Sequence, residues 1–460
     1  MSGLNEECGV FGIFNTEDAS VYTVLGLHAL QHRGQEGAGV VTTDGNKFYT
    51  HFENGHVGDN FNKPSVLNEL PGNTAIGHVR YSTVAEKNSR DFQPLVADFG
   101  FGKLALAHNG NLTNADTLRK ELVDSGSIFS TSIDSEVIIH LIARSKKTDP
   151  LDKILDAFGK IEGAFAVLIL LKDQVIAIRD PHGIRPLSLG KLKDSYVLAS
   201  ESCAFDIISA SHVRDIKPGE VLIIDQSGQR SIYPFEAKPS KLCIFEYIYF
   251  SRPDSVVDGK HVYGIRKEIG RVLARESRVK ADIVVPVPDS GVASAIGYSE
   301  ESGIPFEFGI IRNHYVGRTF IEPSDSVRNL GVKLKHNANA HTIRGKSVLL
   351  VDDSLVRGTT SKKIVELVRA AGATEVHLCI ASPPTTNSCF YGVDTPDKSK
   401  LLAAQHDIEE MRNIVGADSL KFISLDGLYQ SVSGYKKGDE SGETYCDACF
   451  SGEYPIAINS

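Results

Sequence analysis

Cys8 heads the apolar run Cys8-Gly9-Val10-Phe11-Gly12-Ile13-Phe14, and only seven residues precede it. A thiol alone is a middling nucleophile. With the Glu7–Cys8 bond cut, the same residue would carry a free α-amine. That amine titrates near pH ~8 and takes the thiol's proton, so one residue supplies nucleophile and base. Position alone also suits a small buried hydrophobe at a strand start. A second constellation is Asp352-Asp353-Ser354-Leu355-Val356-Arg357-Gly358-Thr359-Thr360-Ser361, directly after the apolar Val348–Val351. Adjacent carboxylates suit ribose hydroxyls or a magnesium-bound substrate. A glycine followed by hydroxyls at a helix start wraps backbone N–H groups around a phosphate. Third, Cys446 and Cys449 stand at metal-ligand spacing and need two partners. Cys243 and Cys389 remain once Cys203 and Cys379 are read as packing residues. Four thiolates suit zinc or an iron–sulfur cluster, and the spacing leaves both open.

The elements that must position these groups fall into two styles. Up to about residue 235, short apolar runs are joined by turns. Gly163–Leu171 meets Val175–Ile178 across Lys172-Asp173-Gln174, which predicts an antiparallel hairpin. Helices are expected over Val21–His32 and Ser135–Ser145. This half reads as α+β with antiparallel sheets. Beyond about residue 260, strands at 283–285, 348–351 and 376–380 alternate with helices. Ile364, Leu367, Val368 and Ala371 mark one helical face, with Gly372 as its C-cap. That is a βαβ unit, hence an α/β domain with a parallel sheet, whose ligands bind beyond the strands' carboxyl ends.

Composition narrows the class. Lys and Arg total 49 against 58 Asp and Glu, a net charge of −9, with no basic tract. Nucleic-acid and anionic-membrane partners are therefore not expected. No apolar run is long enough to span a bilayer, and residues 1–7 lack the features of a signal peptide. A cytoplasmic protein is expected, whose seven cysteines are nucleophile, ligands or core rather than disulfides.

The 352–361 segment resembles the phosphoribosyl-diphosphate (PRPP) loop of type I phosphoribosyltransferases. The resemblance implies that Asp352 and Asp353 hold the ribose hydroxyls and magnesium, that Arg357 to Ser361 cradle the 5′-phosphate, and that Ser354 also binds PRPP. Pro286–Gly291 resembles the family's pyrophosphate loop, with Ser290 as a third magnesium-site residue. Asn313–Ile321 resembles its flexible loop, carried by Tyr315, Gly317, Arg318 and Thr319. In the first half, Cys8–Gly12, Leu30–Gly37, Gly77–Thr83 and His108–Asn111 resemble class II glutamine amidotransferases, which are N-terminal-nucleophile hydrolases with two sheets between helices. This implies Asn109 and Gly110 as oxyanion hole, Arg80 on glutamine's α-carboxylate and Asp134 on its α-ammonium. His78 and Arg33 read as structural.

Both halves together resemble one family, the glutamine phosphoribosylpyrophosphate amidotransferases, over residues 8–455. The family implies glutamine hydrolysis at Cys8, passage of ammonia to PRPP, and release of 5-phosphoribosylamine, glutamate and diphosphate at the start of purine synthesis. Its cluster-bearing branch implies a propeptide at 1–7, a glutaminase domain at 8–235 and a phosphoribosyltransferase domain at 236–460. It also implies Mg²⁺, and a [4Fe–4S] cluster on Cys243, Cys389, Cys446 and Cys449. A homotetramer inhibited by AMP, GMP, ADP and GDP is expected. One rival is an amidotransferase feeding another acceptor. Another is a PRPP-binding regulator with a silent glutaminase half.

Overall fold

The computed structural model describes residues 8–80, 91–313, 336–439, 442 and 444–458. The expected leader, the 81–83 part of one amidotransferase motif and the loop residues Tyr315, Gly317, Arg318 and Thr319 lie outside them.

The first half stacks four layers. A 7-stranded sheet runs Ser211–Asp215, Ser188–Leu192, Ser195–Ala199, Gly9–Phe14, Thr74–Arg80, Gly37–Thr43, Phe48–Asn54. A 6-stranded sheet runs Gly228–Ile232, Val221–Asp225, Val175–Arg179, Gly163–Leu170, Gly102–Leu112, Leu95–Phe99. Every neighbouring pair is antiparallel. The hairpin pairs Leu170 with Val175, as its turn predicts. Alternation explains the stacking, because successive strand residues face opposite sides. Val10, Phe14, Val41 and Ile76 meet Ala105, Ala107, Ala166 and Leu168 between the sheets. Phe11, Ile13 and Val79 turn outward against the helix Ala19–Ala29. On the far face, Leu106, Phe165 and Val167 pack on Val137, Leu141 and Ile154 from the helices Ser135–Arg144 and Pro150–Phe158.

The second half is built on a parallel sheet in the order Ile283–Pro286, Ser347–Asp352, Glu375–Ile380, Ser419–Phe422. Both faces are covered, so its strands read as continuous apolar runs. Val348, Leu350 and Leu378 face Ile364, Val365 and Met411 from the helices Thr359–Ala370 and Ile408–Val415. Leu349, Val351 and Cys379 face Ile269, Leu273 and Tyr298 from Val262–Ser277 and Val292–Ser302. The cap falls one position before the expected Gly372: Ala371 caps the helix, and Gly372 follows with φ 98°. The Gly- and Ser-containing stretch near 430 is helical over Leu425–Ser433, with Leu428, Tyr429 and Val432 buried.

One core joins the halves. Ala164 and Ile184 pack with Leu242, Tyr247, Phe250, Tyr391 and Tyr445. The chain crosses between them through a two-residue strand, Leu242–Cys243, and a π-helical turn, Glu246–Phe250. That strand pairs in parallel with Tyr445–Cys446. No helix among the described residues is long and apolar enough to cross a membrane.

Candidate active sites

Cys8 sits at the end of the strand Gly9–Phe14 and is partly exposed. The register pairs Gly9 with Val79, which brings Arg80 alongside the cysteine's end of the strand. Arg80 is buried, with its Nη2 3.6 Å from Asp91 Oδ2. Asp91 in turn accepts from the Ser132 N–H at 3.0 Å and the Ser132 hydroxyl at 2.8 Å. The Leu30–Gly37 segment backs Arg80. A Cβ on Gly34 would fall 2.7 Å from the carbonyl carbons of Val79 and Arg80, so only glycine fits. The Glu36 N–H donates to the Arg80 carbonyl at 3.1 Å.

From the facing sheet, the Asn109 Nδ2 donates to Ser200 Oγ at 3.4 Å, and that same hydroxyl accepts from the Val10 N–H at 3.0 Å. Asn109 is 0 % exposed, and its Oδ1 has no hydrogen-bond partner among the described residues. A buried polar atom in that position is costly unless a ligand completes it. Gly110 has φ 144°, and a Cβ there would stand 2.0 Å from the Ala164 carbonyl oxygen. No other residue fits, so the Asn-Gly pair is fixed by the strand's geometry as well as by any chemistry. Asp134 precedes the helix Ser135–Arg144, and its Oδ2 accepts the Leu112 N–H at 2.9 Å. Its Oδ1 accepts from the Ser135 hydroxyl at 3.1 Å, and unused lone pairs remain on both oxygens. Cys8, Arg80, Asn109, Gly110 and Asp134 thus come to one end of the sandwich. Burial pushes the His78 imidazolium down to about 3, so that ring is neutral and packed, with Nε2 3.1 Å from the His108 carbonyl.

In the second half, Asp352 ends its strand and Asp353 follows it, 8 % and 7 % exposed. Burial raises both carboxyls. The Asp353 charge adds to the shift at Asp352. Hydrogen bonds from Ser290 and Ser354 and the Arg266 charge oppose it at Asp353. Ser290 therefore reaches the acidic pair from the neighbouring loop. Gly358, at φ 74°, turns the chain into the helix Thr359–Ala370. Arg357 and Thr359 are exposed there, Ser354 and Thr360 are half-buried, and Ser361 is buried. Two buried acids, both raised by burial and one of them also by its neighbour's charge, call for a cationic partner, and a helix N-terminus beside them calls for an anion. A magnesium-bound sugar phosphate has both.

Among the described residues, no group of three or more His, Cys, Asp or Glu side chains is drawn together to hold a metal ion. Cys243, Cys389, Cys446 and Cys449 nonetheless line one cavity, with Phe245 and Tyr391. Burial pushes the Cys243 thiol up to about 12, and the nearby Cys389 adds to that. Burial, with the Cys243 and Cys389 sulfurs next, raises Cys446 and Cys449 as well.

A glutamine amidotransferase domain family matches residues 78–206, and a phosphoribosyl transferase domain family matches residues 261–397. An amidophosphoribosyltransferase from Rhizobium etli is 53% identical over 99% of this chain and 93% of its own length. The chain belongs to the amidophosphoribosyltransferase family. The Bacillus subtilis amidophosphoribosyltransferase is 49% identical over 100% of this chain and 96% of its own. A solved glutamine PRPP amidotransferase from B. subtilis, complexed with ADP and GMP, superposes with TM-score 0.93 at 49% identity, covering 98% of both chains. A solved allosteric regulatory enzyme of purine biosynthesis gives TM-score 0.94 at 48% identity, over 98% of this chain and 97% of that one. As an amidophosphoribosyltransferase, the chain is an enzyme of purine biosynthesis that hydrolyses glutamine and moves the ammonia to PRPP, giving 5-phosphoribosylamine. Two residues beside these sites were not singled out by sequence: Ser200, which bonds Val10 and Asn109, and Arg266, whose charge acts on Asp353. Their partners lie far along the chain, so no local pattern marks them.

Proposed function

We propose that Cys8, freed of residues 1–7, is the nucleophile of the glutamine site. Its α-amine takes the thiol proton, and the sulfur attacks the side-chain amide to give a thioester and ammonia. Asn109 Nδ2 and the Gly110 N–H stabilise the oxyanion, Arg80 holds the α-carboxylate by its planar fork, and Asp134 holds the α-ammonium. The observation that carries this reading is the convergence of these five residues at one end of the sandwich, where Asn109 and the Cys8 strand share the Ser200 hydroxyl. Water then releases glutamate. Asn109→Ala is expected to lower kcat for glutamine hydrolysis about 10²–10³-fold, about 3 kcal/mol, with KM for glutamine little changed. A steady-state titration of glutamine measures both.

At the second site, ammonia displaces diphosphate from C1 of PRPP. Asp352 and Asp353 take the ribose hydroxyls, and Ser354 with Arg357 to Ser361 takes the 5′-phosphate. Tyr315, Gly317, Arg318 and Thr319 close over the diphosphate. Magnesium, when bound by Ser290, Asp352 and Asp353, neutralises charge on the leaving diphosphate. The junction segment Glu246–Asp254 lines the route for ammonia. The division at 235/236 follows this split of labour. A homotetramer in the cytoplasm, inhibited by AMP, GMP, ADP and GDP, completes the reading; the similar B. subtilis enzyme was solved with ADP and GMP.

Cys243, Cys389, Cys446 and Cys449 fit a [4Fe–4S] cluster. All four line one cavity, and four thiolates are the usual ligand set of such a cluster. Bound there, the cluster would supply a structural or oxygen-sensing cross-link. Native mass spectrometry of anaerobically purified protein tests leader and cluster together. The expected mass lacks Met1 to Glu7 and includes a cluster. An active enzyme that keeps the leader overturns the amine's role, and an active, iron-free one overturns the cluster.

A further inference from the structure

Ser200 follows the strand Ser195–Ala199 and is 0 % exposed. Its backbone N–H donates to the Val10 carbonyl at 3.0 Å, and its hydroxyl accepts the Val10 N–H at 3.0 Å. Two bonds to one residue fix where that hydroxyl oxygen stands, two positions along the chain from Cys8. From the facing sheet, Asn109 Nδ2 donates to the same oxygen at 3.4 Å. The Asn109 backbone is held in its strand, opposite Ala166. Its side-chain amide is the part left to turn, and the torsion that turns it has a broad, roughly two-fold profile.

The hydrogens do not balance in this orientation. A hydroxyl has one hydrogen and two lone pairs. Both contacts at Ser200 Oγ are donations into it, from Val10 and from Asn109. Its lone pairs are filled, and its own hydrogen has no acceptor among the described residues. Asn109 Oδ1, also buried, has no donor among the described residues. A donor and an acceptor thus flank one contact without using each other, which is unfavourable in a dry interior. A half-turn of the amide exchanges two ends of nearly equal shape and removes both deficits. The Ser200 O–H then donates to Asn109 Oδ1, while the Val10 N–H still donates to Ser200. Nδ2 takes the place that Oδ1 leaves, with both of its hydrogens free. An oxygen in that place repels a developing oxyanion; an N–H stabilises it.

We propose that Ser200 is the positioning residue of the oxyanion hole: its hydroxyl hydrogen selects the Asn109 orientation in which Nδ2, and not Oδ1, meets the oxygen of the attacked amide. The proposal rests on the role given above to Asn109. Ser200 touches no substrate in this scheme. It makes the wrong orientation forfeit a hydrogen bond before substrate arrives, so the donor is in place when the charge develops. Gly110, the other donor, is set by its backbone at φ 144° and needs no such device.

The experiment is a double-mutant cycle in the full-length enzyme: parent, Ser200→Ala, Asn109→Ala and the two together. Steady-state glutaminase assays give kcat and KM with PRPP present, and thermal melting checks that each variant is folded. Ser200→Ala is expected to lower kcat about tenfold, roughly what one hydrogen bond contributes, with KM for glutamine within about twofold of the parent. In the Asn109→Ala background the same substitution is expected to change kcat by less than about twofold, because no amide is left to orient. Ser200→Cys keeps the shape with a weaker donor, and its kcat is expected between those of Ser200→Ala and the parent. An equal fall in both backgrounds marks a merely structural role and overturns the proposal. So does a kcat for Ser200→Ala within about twofold of the parent. If Ser200→Ala does not fold, Ser200→Cys takes its place in the cycle, and the same two outcomes overturn the proposal. Asn109→Ala with a parental kcat would instead overturn the oxyanion reading beneath it.

Discussion

Cys8→Ala is expected to abolish glutamine-driven synthesis while ammonia, supplied directly, still releases diphosphate from PRPP at the parental rate. Cys8 stands at the start of a strand in the first half's sheet, whereas Asp352 and Asp353 stand at the end of a strand in the second half's parallel sheet. Removing the sulfur takes away the covalent route. Loss of a nucleophile in comparable acyl-transfer sites costs about 10⁶ in kcat. The substitution also removes little volume from a partly exposed position, so the melting temperature should move by no more than a few degrees. Parallel assays with glutamine and with an ammonium salt at alkaline pH distinguish the outcomes. Glutamine-driven activity within tenfold of the parent would show that another residue attacks the amide. Cys8→Ser sharpens the result, because a hydroxyl of the same shape retains position but ionises far less readily.

Asp352→Asn and Asp353→Asn should have the opposite signature. Both nitrogen sources depend on PRPP, so glutamine-driven and ammonia-driven synthesis fall together, by more than about 10³ if transition-state charge is what these acids organise. Stability goes the other way. Burial raises the folded-state pKa of both carboxyls above the ordinary value, and mutual repulsion raises Asp352 further. A group raised in the folded state stabilises the fold in its protonated form, and that contribution is lost as pH climbs from the unfolded pKa through the folded one. At neutral pH the ligand-free protein therefore carries an electrostatic cost that asparagine removes. The amide side chain of the Asp352→Asn variant still offers an oxygen to the Asp353 N–H, which Asp352 Oδ1 accepts at 3.0 Å in the parent. The expected melting temperature of ligand-free Asp352→Asn is equal to or above the parent's, and the difference shrinks toward acid pH. A variant that melts well below the parent at neutral pH would contradict this account of the acidic pair.

Much of the scaffold is legible in the sequence because its cues are local. The Gly163–Leu170 and Val175–Arg179 hairpin follows from two apolar runs and a polar turn. The strand–helix order from residue 283 to 380 follows from period and caps. Asp352 and Asp353 stand out because acids rarely terminate a buried apolar run without a task. Arg33 shows where this kind of reading stops. It reads as structural, but the sequence does not name what it holds: its partners Glu201 and Glu246 are 168 and 213 residues away. Ion pairs formed across sheet ends leave no periodicity behind. Arg266 fails for a related reason: as one of three arginines on an amphipathic helix it reads as part of the wet face, and only the packed turn at Tyr247–Ser251 shows that it is inside. The helix Leu425–Ser433 is obscured by its own composition, since glycine and serine within it weaken the apolar stripe that Leu428, Tyr429 and Val432 make.

The short parallel pairing of Leu242–Cys243 with Tyr445–Cys446 sets an order of events during synthesis. Ser240 and Thr444, bonded beside it at 2.8 Å, are 204 residues apart. At about 5–20 residues per second, the ribosome delivers the second partner some ten to forty seconds after the first. Through that interval Leu242, Ile244, Phe245 and Tyr445's other neighbours lack the cover they have in the finished protein, where the first three are at most 2% exposed. The two sheets of the first half can close early, and the parallel sheet can follow. The seam between them waits for the last stretch of chain. Any truncation upstream of Tyr445 would leave two nearly complete domains with an unsealed, greasy edge, a ready target for chaperones and proteases.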